Sequence, residues 1–543
     1  MRRFAALLER LAFTPSRNAR LRLLAGYLRD APDPDRGWAL AAITRDLALD
    51  SVKPAMLRAL AAERVDGELF ALSYDFVGDL AETVALIWPE TGRADDPPLC
   101  EIVAALQAAS RRTAPQVVAR LLDRLDASGR YALLKLVTGG LRVGVSARLA
   151  KTALAELGGR ELGEIEEIWH GLAPPYRDLF AWLTGQGPKP AAAAACPFRP
   201  VMLATPLAVE DLGRLDPADY LAEWKWDGVR VQASAESGTR RLYSRSGDDI
   251  SAAFPDLVEA LDFDGTLDGE LLVRHPSGGT APFADLQQRL NRKTVTAAQR
   301  ARYPAFLRAY DLLFAGGRDL RGETLAARRG ALEDFVTRLD PARFDLSPLV
   351  AFAAWEELEA LRGAPPDPVI EGLMLKHRDS AYLPGRPKGP WFKWKRDPHV
   401  IDAVLLYAQR GHGKRSGYYS DYTFGVWTEA GELVPVGKAY FGFTDAELAE
   451  IDRYVRGNTT ERFGPVRAVR AEPGHGLVLE VAFEGLNRST RHKSGVAMRF
   501  PRISRLRWDK TPAEADRLET LEAMLPRGGS EAEPKEHPEE PHT

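Results

Sequence analysis

Lys225 stands in Glu223-Trp-Lys225-Trp-Asp227-Gly228-Val-Arg230, two residues ahead of an Asp-Gly pair. A lysine is a nucleophile only as the neutral amine, yet with an ordinary pKa of about 10.4 it is almost wholly protonated at pH 7. Trp391-Phe392-Lys393-Trp394-Lys395 supplies two more lysines in alternation, so on a strand they share one face. Cations placed there would lower the pKa of a neighbouring lysine and compensate charge on phosphate oxygens, which is what phosphoryl transfer requires. Alone, Lys-x-Asp-Gly reads as a strand end followed by a turn. It has company: Ser244-Arg245-Ser246-Gly247, Leu267-Asp268-Gly269-Glu270, Ala309-Tyr310-Asp311-Leu312-Leu313, Glu371-Gly372-Leu373-Met374-Leu375-Lys376 and Arg499-Phe500-Pro501-Arg502-Ile503.

These motifs, in this order, resemble those of the covalent nucleotidyltransferases and, among them, the ATP-dependent DNA ligases, from about residue 200 to 525. The resemblance implies that Lys225 is the adenylated residue. It implies ATP contacts for Glu223, Arg230, Arg245, Glu270, Tyr310, Arg386, Lys393, Lys395, Arg499 and Arg502, with Tyr310 stacking on adenine and the two late arginines orienting pyrophosphate. Glu270 and Glu371 would sit near the ribose and Mg2+, a hard cation that prefers oxygen. One position departs from the pattern. Many ligases carry an arginine six residues before the first lysine of the Trp391–Lys395 motif; here Pro387 stands there, flanked by Arg386 and Lys388, and either neighbour is a candidate substitute.

Upstream, Leu136-Val-Thr-Gly139-Gly140-Leu-Arg142-Val-Gly144-Val145 resembles the Gly-rich segment of the helical DNA-binding domain that some ligases place before the core. Glycine lets backbone amides approach phosphates, and Arg142, Arg148 and Lys151 supply charge. Gly411-His-Gly-Lys414-Arg415-Ser-Gly417 lacks P-loop spacing; Lys414 and Arg415 read as a basic loop touching DNA or as a solvated hairpin. The likeness is to the bacterial three-domain ligases. It implies sealing of 5′-phosphate/3′-hydroxyl nicks in duplex DNA through lysyl-AMP and adenylated DNA, with ATP and Mg2+, by a monomer in the cytoplasm at the bacterial nucleoid. An NAD-dependent ligase is excluded because its four zinc cysteines are missing. RNA ligases and capping guanylyltransferases share the lysine motif, but the helical N-terminal block, the RFPRISRLRWDK ending and Glu223, which favours adenine, point to DNA ligase.

The elements that must position these residues follow from the sequence texture. Residues 1–185 repeat leucines at three- and four-residue spacing, as in Ser16-capped ARLRLLAGYLRD, and predict an all-α domain. The Pro–Ala–Gly stretch at 186–200 predicts a linker. Residues 201–396 alternate β-branched and aromatic runs with helical stretches, an α+β domain that the resemblance identifies as the nucleotidyltransferase (adenylation) domain. Beyond Asp397-Pro398, residues 397–525 predict about five strands around one helix, a small Greek-key barrel that the resemblance identifies as an OB-fold. Residues 526–543 predict a disordered acidic tail.

The 543 residues carry a net charge of −3, which conceals a polarised distribution. From Ser530 five glutamates face Lys535 alone, whereas from Asn487 to Lys510 eight arginines and lysines face only Asp509, a candidate polyanion surface. Two cysteines, Cys100 and Cys196, rule out a disulfide framework and fit a reducing compartment. No apolar run is long enough for a membrane span, and Glu9 and Arg10 break the N-terminal run before it resembles a signal sequence. The nine histidines show no metal-ligand spacing.

Overall fold

A computed structural model describes residues 1–49, 51–77, 79–90, 95–139, 141, 143–190, 196–276, 278–290, 292, 294–410, 417–489 and 492–525. The chain divides after Arg396 into two compact units, Met1–Arg396 and Asp397–Thr543.

The first unit opens with α-helices, from Arg2–Phe13 to Arg177–Leu183. Their apolar stripes meet in one core that includes Phe4, Leu11, Leu24, Leu40, Leu133, Leu154 and Phe180. Ser16 caps the helix Arg17–Asp30, accepting from the Ala19 amide at 3.3 Å. No helix among the described residues is long and apolar enough to cross a membrane.

Two sheets complete this unit. Its strands are β1 (Thr205–Pro206), β2 (Tyr220–Trp226), β3 (Val229–Glu236), β4 (Thr239–Ser244), β5 (Gly265–Val273), β6 (Ala305–Ala315), β7 (Arg318–Asp319), β8 (Phe344–Leu346), β9 (Leu349–Val350), β10 (Ile370–His377) and β11 (Trp391–Lys395). One sheet runs β1-β11-β10-β2-β9; the other runs β4-β3-β5-β6-β7, with β8 on β6. In the first, β10 lies between β2 and β11 and sets their register. Gly372 pairs with Lys225 on one side and Lys395 on the other, and Met374 pairs with Glu223 and Lys393. Gly372 sits at a bulge with φ +149°, and a Cβ there would meet the Trp394 carbonyl oxygen at 2.3 Å. Only glycine allows this approach. In the second sheet Arg230 pairs with Glu270 across β3 and β5, and Glu270 is the one residue of β5 that is not buried.

The second unit holds β12 (His399–Arg410), β13 (Tyr419–Trp427), β14 (Leu433–Ala439), β15 (Thr459–Phe463), β16 (Val466–Val469), β17 (Val478–Phe483), β18 (Gly485–Arg488), β19 (Val496–Arg499) and β20 (Arg502–Arg507). Among the described residues these pair as β14-β13-β12-β16-β15, with β17 bridging β12 and β20 and β18 pairing β19. This is more strands than the five expected, and the pairings do not close into a ring. Helix Asp445–Gly457, started by a Thr444/Glu447 capping box, covers a core of Tyr422, Phe424, Ile451, Leu479 and Phe483. The expected acidic tail, 526–543, lies outside the described residues.

Candidate active site

Lys225 lies near the end of β2 with its side chain 24% exposed, and its Nζ donates to Glu371 Oε2 at 2.5 Å. Lys395 Nζ comes within 3.7 Å of the same oxygen. Strand pairing through Gly372 builds this contact, because it sets Lys225 and Lys395 on either side of the bulge beside Glu371. Burial works to lower the Lys225 pKa, but the charges of Glu371 and Glu270 and the hydrogen bond to Glu371 outweigh it, and the net shift is upward. The expected depression of Lys225 by Lys393 and Lys395 is therefore not found in the protein alone; two carboxylates override the cations. The depression falls on Lys393, through burial first and then the charges of Lys395, Arg386, Lys225 and Arg245.

Glu270 faces this cluster from β5. Burial pushes its carboxyl up to about 8, against the opposing pull of Lys225 and Arg230. Arg245 is lowered by burial and by the charges of Arg230 and Arg386. Lys393 feels the charges of Lys395, Arg386, Lys225 and Arg245, and the charge of Arg386 is felt at both Arg245 and Lys393.

Behind the lysine, the network is buried and saturated. Glu223, 2% exposed, accepts from Lys376 Nζ at 3.0 Å. That ammonium, equally buried, lies 4.5 Å from the Tyr310 ring centre and 4.8 Å from that of Trp391. Arg230 holds Asp268 with Nε at 3.0 Å and Nη2 at 2.6 Å, and also donates to the Met202 carbonyl and the Tyr382 hydroxyl. The Tyr382 hydroxyl donates to Asp268 at 2.6 Å. Four of the five Arg230 N–H donors are thereby committed inside the protein.

Known proteins carry the same sequence frame. The ATP dependent DNA ligase domain matches residues 201–395, and the ATP dependent DNA ligase C terminal region matches residues 415–510. A probable DNA ligase of Koribacter versatilis is 32% identical over 563 residues, covering 96% of either chain. A DNA ligase of Haloarcula marismortui is 31% identical over 460 residues, covering 82% of this chain and 79% of that one. The chain belongs to the ATP-dependent DNA ligases. The solved structure of Pmar-Lig_PreS3 aligns over 93% of this ligase and 99% of its own length, with TM-score 0.59 and 15% identity, a likeness of fold. The ligase is an enzyme that joins DNA ends and uses ATP.

Other residues singled out in the sequence stand on other elements. Arg499 ends β19 with its guanidinium 5.5 Å from the Phe500 ring centre, and Arg502 begins β20; both belong to the second unit. Arg148 is half-exposed, pairs with Glu166 at 3.4 Å and reaches the Gly385 backbone, next to Arg386. Lys151 is 7% exposed and rests 4.7 Å over the Trp169 ring, with its pKa lowered by burial. Its helix, Ala147–Gly158, turns that position toward Trp169 rather than toward solvent. Arg142, Lys414 and Arg415 lie outside the described residues.

Sequence reasoning gave no role to Lys376, Asp268, Trp391 or Tyr382. The first three stand inside the quoted motifs, where an ionisable residue within an apolar strand, such as Lys376 in Gly-Leu-Met-Leu-Lys, was the available signal. Tyr382 had none; it reaches Asp268 only because the segment between β10 and β11 folds back.

Proposed function

We propose that this ligase seals nicks through a covalent lysyl-AMP formed on Lys225. The observation that carries the reading is the set of like charges on Lys393, where burial and the charges of Lys395, Arg386, Lys225 and Arg245 disfavour the ammonium, while Glu371 joins Lys225 and Lys395. Among the described residues Lys393, Arg245 and Arg386 form no salt bridge; the strain falls on the partly buried Lys393, and Arg245 and Arg386 are exposed. A triphosphate relieves this strain and is held with its phosphates against Lys225. Tyr310 offers its ring to adenine, and Glu223 its second carboxylate oxygen to the adenine amino group.

The Lys225 ammonium must lose a proton before it attacks, and Glu371 is its hydrogen-bonded acceptor. The neutral amine then attacks the α-phosphorus; a P–N bond forms and pyrophosphate leaves. An oxygen of the DNA 5′-phosphate next displaces Lys225 from the AMP phosphorus. The nick's 3′-hydroxyl attacks the 5′-phosphorus, AMP departs, and the phosphodiester closes. Mg2+ fits the site, because Glu270 and Glu371 offer oxygen and Glu270 has no hydrogen-bond donor among the described residues. Bound there, Mg2+ supplies charge neutralisation on the phosphates.

The partition 1–185 helical DNA-binding, 186–200 linker, 201–396 adenylation, 397–525 OB-fold and 526–543 tail accompanies this reading. The long strand β12 supports the OB-fold, pairing with β17 over 399–404 and with β16 over 407–409 on one edge while β13 takes the other. Nicked duplex is the proposed partner, and one chain suffices, since every group named lies on it. Incubation with α-labelled ATP and Mg2+ tests the reading, with GTP and NAD as controls. Lys225→Arg should give no labelled protein, because a guanidinium stays protonated, yet should still seal a pre-adenylated nick. Label on that variant refutes the assignment.

A further inference from the structure

One segment of the helical region has a chemistry opposed to DNA. Residues 66–90 hold six carboxylates and no lysine or arginine, whereas residues 1–65 hold twelve basic residues against seven acidic ones. Helices Gly67–Val77 and Leu80–Ile87 form the segment and pack on each other. Between them runs a groove of about 300 Å³, lined by Leu72, Ser73, Val77, Thr83, Leu86 and Ile87. Leu69, Leu72 and Leu86 are 50%, 63% and 63% exposed, an apolar face that soluble proteins reserve for a partner. Asp66 caps its helix and Asp79 is held by Lys135 at 2.5 Å. Glu68, Glu82 and Glu90 are exposed and have no ion-pair partner among the described residues.

We propose that this groove docks an amphipathic helix of a partner protein, leucine-like on one face and flanked by lysine or arginine. A cleft between two helices accepts a third by ridge-into-groove packing, and the leucines supply the apolar anchors. The three uncommitted glutamates select the flanks, since they attract cations and repel phosphates. DNA is excluded as occupant by the same charges. The proposal does not depend on the assignment of Lys225 or of the nucleotide site.

The test uses the full chain and a labelled peptide of about 18 leucines and lysines, its leucines in helical period, read by fluorescence anisotropy at about 0.15 M salt. The control peptide has the same composition with the period scrambled. The periodic peptide should bind about tenfold tighter than the scrambled one. Leu72→Ser and Leu86→Ser, both at exposed positions, should each weaken it about fivefold or more while leaving thermal unfolding and nicked-duplex binding unchanged. Glu68→Gln with Glu82→Gln should weaken it and flatten its salt dependence. Equal binding of the scrambled peptide, or indifference to both serine variants, overturns the proposal. So does self-association of the ligase that Leu86→Ser abolishes, because the occupant is then a second copy.

Discussion

Replacing Lys376 by methionine keeps most of the side chain's volume and deletes one charge. Glu223, 2% exposed, then loses the ammonium that donates to it at 3.0 Å, and the next cation, Arg329, stands 4.0 Å away. Breaking a buried pair by removing one partner costs about 3–5 kcal/mol, and the nearness of Arg329 sets the expectation at about 3 kcal/mol. At about 2–4 °C per kcal/mol for a larger domain, thermal unfolding should fall by roughly 6–12 °C. The nucleotide preference should fall with it. A charge-assisted hydrogen bond from adenine to a fixed carboxylate is worth about 1.5–3 kcal/mol, so kcat/KM for self-adenylation with ATP should drop about 10- to 150-fold. The rate with GTP, which has no amino group at that position, should change little.

The double variant E223Q/K376M separates the two effects. Removing both charges takes away the unpaired carboxylate, so most of the lost stability should return while the preference for ATP stays lost. The assays are calorimetry for unfolding and single-turnover formation of labelled protein with each nucleotide. If Lys376→Met keeps both the unfolding temperature and the ATP preference of the natural chain, Lys376 does not hold Glu223 for adenine. If the double variant is as unstable as the single one, the loss came from packing and not from charge.

Arg386→Ala should slow self-adenylation at least about tenfold and Lys388→Ala less, because the charge of Arg386 is a leading influence on both Lys393 and Arg245; equal effects would refute this choice between the neighbours of Pro387. The buried His170 imidazole, packed against Phe198 and Tyr243, is pushed down from 6.5 to about 4 by burial and by Lys151. The unfolded chain therefore takes up a proton that the folded one resists, so this contribution is full above pH 6.5 and is lost toward pH 4, about 3 kcal/mol in all. Urea unfolding at pH 7 and pH 4.5 should show His170→Phe losing less stability than the natural chain, and an equal loss in both would refute it. Arg499→Ala should lose lysyl-AMP formation while retaining most sealing of pre-adenylated nicks; near-normal adenylation would overturn its assignment to the first step.

The site was legible wherever spacing within one strand decides geometry. Lys393 and Lys395 alternate on β11, and Glu223 and Lys225 on β2, because a strand repeats every two residues. What failed depends on contacts between distant stretches of chain. The direction of the Lys225 shift is set by Glu371, 146 residues away, and the state of Glu223 by Lys376, 153 residues away. Neither can be read without the register of β10. Helical position alone does not say which face is covered: Arg148 stays half-exposed, while Lys151, three residues later, is buried over the Trp169 ring.

The register of β10, with that of β3 and β5 in the second sheet, separates the paired buried charges from those near Lys225. Its pairings set Lys225 and Lys395 in one row and Glu223 and Lys393 two residues further along, a step of about 7 Å. At the buried end the charges cancel: Glu223 meets Lys376, Asp268 meets Arg230, and Asp311 meets Arg328. At the open end they do not. Lys393 is lowered by burial and by its like-charged neighbours, and Glu270 is raised by burial against the opposing pull of Lys225 and Arg230. Under the proposed function a triphosphate with its cation meets both groups at once, so that ligand binding recovers what folding leaves unbalanced. With Arg230 held by Asp268 and Tyr382, and Lys376 by Glu223, the strands carrying Lys225 and Glu270 are each tied to charged partners in the interior.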